Sequence, residues 1–253
     1  MATGMAAETQ MGPPTTTAVP LGTGLEAGSL QVFGLAPPGA GSPSLELGAC
    51  PHSQRVYMAL EERGLPFVIT GIDEQSMPSW LTEINKNAEI PALRDGDEYV
   101  FGADDILSHV NDRYPEQSSA FLVPEAQLQQ IETITSALVE TFMKWMESKS
   151  KDSPVRTEYE DAVVELNKHL EKNGPYLCGT SPTDADFKVA PLLHHARVTL
   201  LNVMDFELPK KYAAVHKYIA LMEGRASFQK YNQPDELIVS SWQRKFGMQA
   251  QTA

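Results

Sequence analysis

The sequence predicts an α/β domain followed by an all-helical domain. Three observations predict it. Short β-prone apolar runs alternate with helical stripes in the first part of the chain, a tight hairpin signal follows them, and from Pro124 onward every strong periodicity is helical.

Each element has its own signal. Residues 29–33 begin a strand, and residues 34–48 form a loop rich in Gly, Pro and Ser that ends at Ala49-Cys50-Pro51. Pro51 suits the first position of a helix, because its missing N–H would have had no partner there. Val56, Ala59 and Leu60 give that helix an apolar stripe, and Gly64 with Pro66 stops it. Residues 67–72 are apolar and β-prone, residues 80–84 make a short helical piece, and residues 90–93 and 99–101 flank the turn Asp95-Gly96-Asp97 as a hairpin. Ile106, Val110 and Tyr114 mark a closing helix before Pro115. The order β-α-β-α-β-β-α is that of a thioredoxin-like domain, placed at residues 29–114, with a linker at 115–123.

The all-helical domain is placed at residues 124–246, followed by a tail at 247–253. Leu128, Ile131, Leu138, Phe142 and Trp145 make one stripe, and Tyr159, Val163, Leu166 and Leu170 make another. Lys168, His169 and Lys172 precede Gly174-Pro175, where positive charge complements a helix C-terminus, so this cluster is a helix end and not a binding patch. Thr183 to Asp186 form a capping box, whose geometry uses up the Asp186 acceptors and assigns that carboxylate a folding role.

Composition narrows the function. The chain of 253 residues carries 20 Lys and Arg against 33 Asp and Glu, and a net charge near −13 opposes nucleic acid and anionic lipid as partners. No apolar run is long enough to span a membrane. Residues 1–28 have Glu8 and Glu26 as their only charges and few large apolar groups, and are expected to be a disordered tail. The first basic residue is Arg55, so no Arg-rich transit signal is present, and cytoplasmic residence is the expectation. Two cysteines in separate motifs suit a reducing compartment rather than a disulfide framework.

Of those two, Cys50 is the candidate nucleophile. A thiol acts as thiolate, and a cysteine at a helix N-terminus meets unsatisfied N–H groups and the positive end of the dipole. Ser53 can add a hydroxyl near the sulfur, whereas His52, two residues along, is expected to point away. Cys178, between apolar residues and a Gly turn, is expected to pack as a small hydrophobe. His194 and His195 are adjacent and face different sides of a helix, and no metal motif is visible.

The run from Leu47 to Val56, with Cys50-Pro51-His52-Ser53-Gln54-Arg55 at its centre, resembles the plant-type dehydroascorbate reductases, which share the glutathione transferase fold. The similarity continues through Met77-Pro78-Ser79-Trp80, Ile90-Pro91, Gly174-Pro175-Tyr176-Leu177, the segment ending in His194-His195, and Trp242. Chloride intracellular channel proteins share the Cys-Pro-Phe-Ser-Gln-Arg core and are the nearer relatives to exclude. The resemblance implies glutathione as co-substrate, no metal, and Cys50 as the nucleophile of dehydroascorbate reduction. It also implies a cis Pro91, with Ile90 offering backbone bonds to glutathione, and a substrate pocket shared by Ser53, His195 and Trp242. Four contact positions of the family are altered, to Phe33, Ala49, Met77 and Ala103, and a Lys near the proline is replaced by Glu89. Each lost charge-assisted bond is expected to weaken glutathione binding by roughly 1.5–3 kcal/mol. The alternative expectation is therefore a protein of the same fold that has lost glutathione and acts non-catalytically or through partners.

Overall fold

The computed structural model describes residues 29–87 and 89–248. The expected tail at 1–28 and the last residues of the C-terminal tail lie outside the described residues. The first domain runs β1 (Leu30–Leu35), α1 (Pro51–Glu62), β2 (Phe67–Ile72), α2 (Ser79–Ile84), β3 (Ala92–Asp95), β4 (Glu98–Phe101) and α3 (Ala103–Arg113). Its sheet has the order β2-β1-β3-β4, with β1 parallel to β2 and antiparallel to β3. The hairpin starts at Ala92, two residues later than the sequence suggests, because Pro91 has no N–H to give the ladder.

Alternation along β1 sorts its side chains. Leu30 and Val32 enter the main core, while Phe33 faces the other side in a small cluster with Ile72, Leu81 and Ala92. Helix α1 is buried along most of its length, from Ser53 to Leu60, because it lies between the sheet and the second domain. Its end is a glycine cap: Gly64 takes φ +65°, and Leu65 N–H reaches back to the Leu60 carbonyl at 3.1 Å.

The linker is itself wound into α4 (Pro115–Ser118) and a 3₁₀ turn (Ser119–Phe121), with Pro115 as first residue of α4. The second domain holds α5 (Glu125–Ser148), α6 (Val155–Asn173), α7 (Asp184–Met204), α8 (Ala213–Glu223), α9 (Ala226–Tyr231) and α10 (Asp235–Lys245). Burial on α5 begins at Ile131. Leu128, placed in the stripe by its spacing, is 50% exposed in the first two turns, so the buried part of the stripe starts after it. The α6 stripe of Tyr159, Val163, Leu166 and Leu170 is fully buried. The capping box forms, with Asp186 accepting from the Thr183 N–H at 2.8 Å and from the Leu177 N–H at 2.9 Å. Among the described residues, no helix is long and apolar enough to cross a membrane.

Ion pairs lock α1 to the helical domain at the end far from Cys50. Glu62 pairs with Arg225, and Glu61 pairs with Lys230 at 2.9 Å. The opposite end of α1 is left to form a cleft.

Candidate active site

Cys50 is the N-cap of α1, in extended backbone with φ −127° and ψ 113°, and its Sγ accepts the Ser53 N–H at 3.5 Å. The chain reaches this cap by passing close to β1. Gly48 donates to the Leu35 carbonyl at 2.7 Å, and a Cβ at Gly48 would meet the Ala36 carbonyl at 2.9 Å, so only glycine fits there.

The cysteine opens into a cleft of about 400 Å³ walled by both domains. The first domain contributes Ala49, Cys50, His52, Ile90 and the loop residues Pro37 and Pro38, and α10 contributes Leu237, Ser241, Trp242, Arg244 and Lys245. Ser241 ties the two walls together by donating to the Ala49 carbonyl at 3.3 Å. The long loop is pinned by Asp73, whose carboxylate accepts the N–H groups of Gly39 (2.7 Å), Gly41 (3.2 Å) and Gln75 (2.9 Å). The Gln75 amide, chief among these donors, holds the Asp73 carboxyl below the usual carboxylate range despite its burial.

The other expected site residues fall in different places. The Ile90–Pro91 bond is cis, and neither the N–H nor the C=O of Ile90 bonds to another described backbone group. Trp242 lines the cleft. His195 lies behind it, buried, with Nδ1 accepting from Trp242 Nε1 at 3.1 Å. Ser53 sits beneath the cap, its hydroxyl accepting from the Leu35 N–H at 3.3 Å, so the sulfur meets its amide rather than its hydroxyl. His52 is exposed at the rim without a hydrogen bond to Sγ; crowding by the cleft walls, then the charges of Arg55 and Lys245, lower its pKa. Of the altered positions, Ala49 faces the cleft, Phe33 and Met77 belong to the apolar cluster around α2, and Ala103 is buried in the first turn of α3. Glu89 presses its carboxylate against Gly102, 2.8 Å from where a Cβ would stand.

Cys178 is half-buried and free, and burial pushes its thiol up, away from the thiolate. No group of three or more His, Cys, Asp or Glu among the described residues is arranged to hold a metal. His194 pairs with Glu223 at 2.7 Å on one face of α7 while His195 meets Trp242 on another, as their adjacency predicts.

Desolvation, reinforced by His194 and His52, lowers the His195 pKa to about 3. A folded value below the unfolded 6.5 means the unfolded chain binds the extra proton first, so this residue withdraws stability as pH falls below about 6.5 toward 3. His195 is thus a neutral acceptor for Trp242 across the physiological range. In a histidine-resolved NMR titration its ring signals are expected to stay constant between about pH 8 and pH 4.5; an inflection near 6.5 would show that the ring is not shielded as described.

Sequence reasoning missed Asp73, Ser241, Arg244 and Lys245. Ser241 and Lys245 had a readable signal. Leu237, Ser241 and Lys245 follow one another at i+4 spacing, and Lys245 is three residues beyond Trp242, so a helix placing Trp242 at the cleft brings them to it.

Residues 49–113 match the family "Glutathione S-transferase, N-terminal domain" and residues 109–221 match "Glutathione S-transferase, C-terminal domain". The chain belongs to the glutathione S-transferase family. Within it, the chain is similar to the dehydroascorbate reductase type. It is 28% identical over 206 residues to glutathione S-transferase DHAR2 of Arabidopsis thaliana, covering 81% of this chain and 93% of that one. It is likewise 28% identical over 200 residues to the probable cytosolic glutathione S-transferase DHAR1 of Oryza sativa subsp. japonica, covering 79% and 91%. Among solved structures, the dehydroascorbate reductase of Chlamydomonas reinhardtii superposes with a TM-score of 0.73 at 25% identity, covering 87% of this chain and 99% of that one. The CLIC homologue EXC-4 of C. elegans shares the fold, with a TM-score of 0.76 at 17% identity and 89% of each chain covered.

Proposed function

We propose that this protein is a glutathione-dependent dehydroascorbate reductase, or a closely related thiol transferase, with Cys50 as nucleophile. The observation that carries the reading is the position of Cys50, the N-cap of a buried helix at the floor of a cleft of about 400 Å³, within the size range of small-molecule sites. The Cys50 thiolate adds to a carbonyl carbon of dehydroascorbate, forming a C–S bond. A glutathione thiolate then attacks Sγ; that C–S bond breaks, its electron pair leaves on carbon as the enediolate, and two protons complete ascorbate. A second glutathione attacks the mixed disulfide and returns the Cys50 thiolate. Two glutathiones lose two electrons to become the disulfide, and dehydroascorbate gains them.

The chain's own residues supply the rest. The Ser53 amide and the first turn of α1 stabilise negative charge on sulfur, and Trp242, oriented by His195, forms the facing wall. Ile90, whose backbone bonds to no other described backbone group, lines the cleft where it can meet the co-substrate. Two unpaired cysteines suit a reducing compartment, and cytoplasmic residence is part of this reading.

A second reading has its own observation. Phe33, Met77 and Ala103 are built into apolar packing, and the Glu89 carboxylate crowds Gly102 at the start of α3, which suits a protein that no longer binds glutathione and acts through protein partners. A membrane-inserting role is disfavoured by the net charge near −13. The purified protein is expected to form ascorbate from dehydroascorbate and glutathione faster than the uncatalysed mixture, and to bind glutathione in calorimetry with a Kd tighter than about 1 mM. Neither signal appearing would establish the second reading.

A further inference from the structure

The Lys that the resemblance places near the proline is replaced by Glu89, yet the cleft is not without positive charge. Arg244 and Lys245 line it from the last turn of α10, opposite the Asp73 turn. Arg55, Arg63, Arg156, Arg197 and Arg225 are each paired with a carboxylate, whereas Arg94, Arg113 and Arg244 make no ion pair with a described residue, and of these three it is Arg244 that lines the cleft. Lys245 is also free of one; its ammonium lies 5.0 Å from the centre of the Trp242 ring, at the cleft wall. On the facing side stand two carboxylates, Glu74 and Asp73; Asp73 accepts three backbone amides and feels the charge of Arg244 without forming an ion pair with it. In a chain of net charge −13, Arg244 and Lys245 offset Asp73 and Glu74 in the cleft that holds the reactive sulfur, and the α10 wall is where an approaching anion meets positive charge.

We infer that Arg244 and Lys245 form an anion-binding wall on α10 that receives a carboxylate of the thiol co-substrate and so sets the site's preference for anionic over neutral thiols. The identity of that thiol rests on the reductase reading; the electrostatic wall does not. Specificity would then have moved from the first domain to the last helix, with Arg244 able to hold a carboxylate in a two-pronged bond and Lys245 acting as a point charge.

Alkylation of Cys50 tests the wall without turnover. The rates of modification by iodoacetate, an anion, and iodoacetamide, its neutral counterpart, are compared by peptide mass spectrometry, so that Cys178 is read separately. The iodoacetate-to-iodoacetamide ratio is expected to fall about three- to tenfold in the Arg244→Gln/Lys245→Gln variant, and to shrink in the wild type at high salt. Arg244→Lys should retain most of the ratio. Both residues are exposed, so the substitutions leave the core intact. A ratio unchanged by the double substitution overturns the inference, whether or not dehydroascorbate proves to be the substrate. Where turnover is present, KM for glutathione is expected to rise in the double variant relative to KM for neutral 2-mercaptoethanol; equal changes would also overturn it.

Discussion

Replacing Cys50 with serine is expected to remove glutathione-supported dehydroascorbate reduction, a loss of at least about a thousandfold in kcat/KM. A serine at this N-cap keeps the geometry and can accept the Ser53 amide as the sulfur does, so the helix start survives. What it cannot do is the exchange chemistry. The proposed cycle requires sulfur first as a nucleophile toward carbon and then as the centre attacked by glutathione, and an alkoxide serves neither step at neutral pH. The matched control is Cys178→Ser, which alters a half-buried thiol in the second domain and leaves the rate within about twofold of wild type. Retention of activity in the Cys50 variant, measured by ascorbate formation, would remove Cys50 from the mechanism.

The legibility of this site in the sequence follows how local each interaction is. Cys50 was readable because cap, Pro51 and helix are consecutive, and the reason a thiol belongs there is contained in those residues. Asp73 was invisible, since its partners Gly39 and Gly41 are backbone amides more than 30 positions away and no side-chain pattern marks them. Periodicity shows the α5 stripe but not where burial along it begins, so Leu128 shares the stripe's spacing and still lies exposed. For His195 and Trp242 the resemblance named the pair, and the structure supplies the relation between them: one hydrogen bond that sets the Trp242 ring against the cleft with His195 behind it. Phe33 shows the reverse case, in which strand alternation alone turns the side chain into the cluster around α2 and away from Cys50.

The cleft exists only while the two domains stay in register, and Arg63 is the residue that most directly holds them. Its side chain is fully buried just past the end of α1. It donates to Asp184 at 2.7 and 2.9 Å, Asn111 at 2.8 Å, Ser118 at 3.1 Å and the Ala59 carbonyl at 3.0 Å, and it stacks 5.0 Å from the Phe121 ring centre. One guanidinium thus joins α1, α3, the helical linker and the first residue of α7. Arg63→Met keeps apolar volume but leaves the Asp184 carboxylate with the Asn111 amide as its remaining side-chain donor. Removing one partner of a buried pair costs about 3–5 kcal/mol, which for a chain of this size lowers Tm by roughly 6–20 °C. Adding Asp184→Asn to Arg63→Met removes the stranded charge, so the double variant should recover part of the loss, and the non-additivity measures the pair itself. Scanning calorimetry that found the single variant within about 2 °C of wild type would mean that apolar packing of α1 against α7 and α9, rather than this clasp, holds the cleft together.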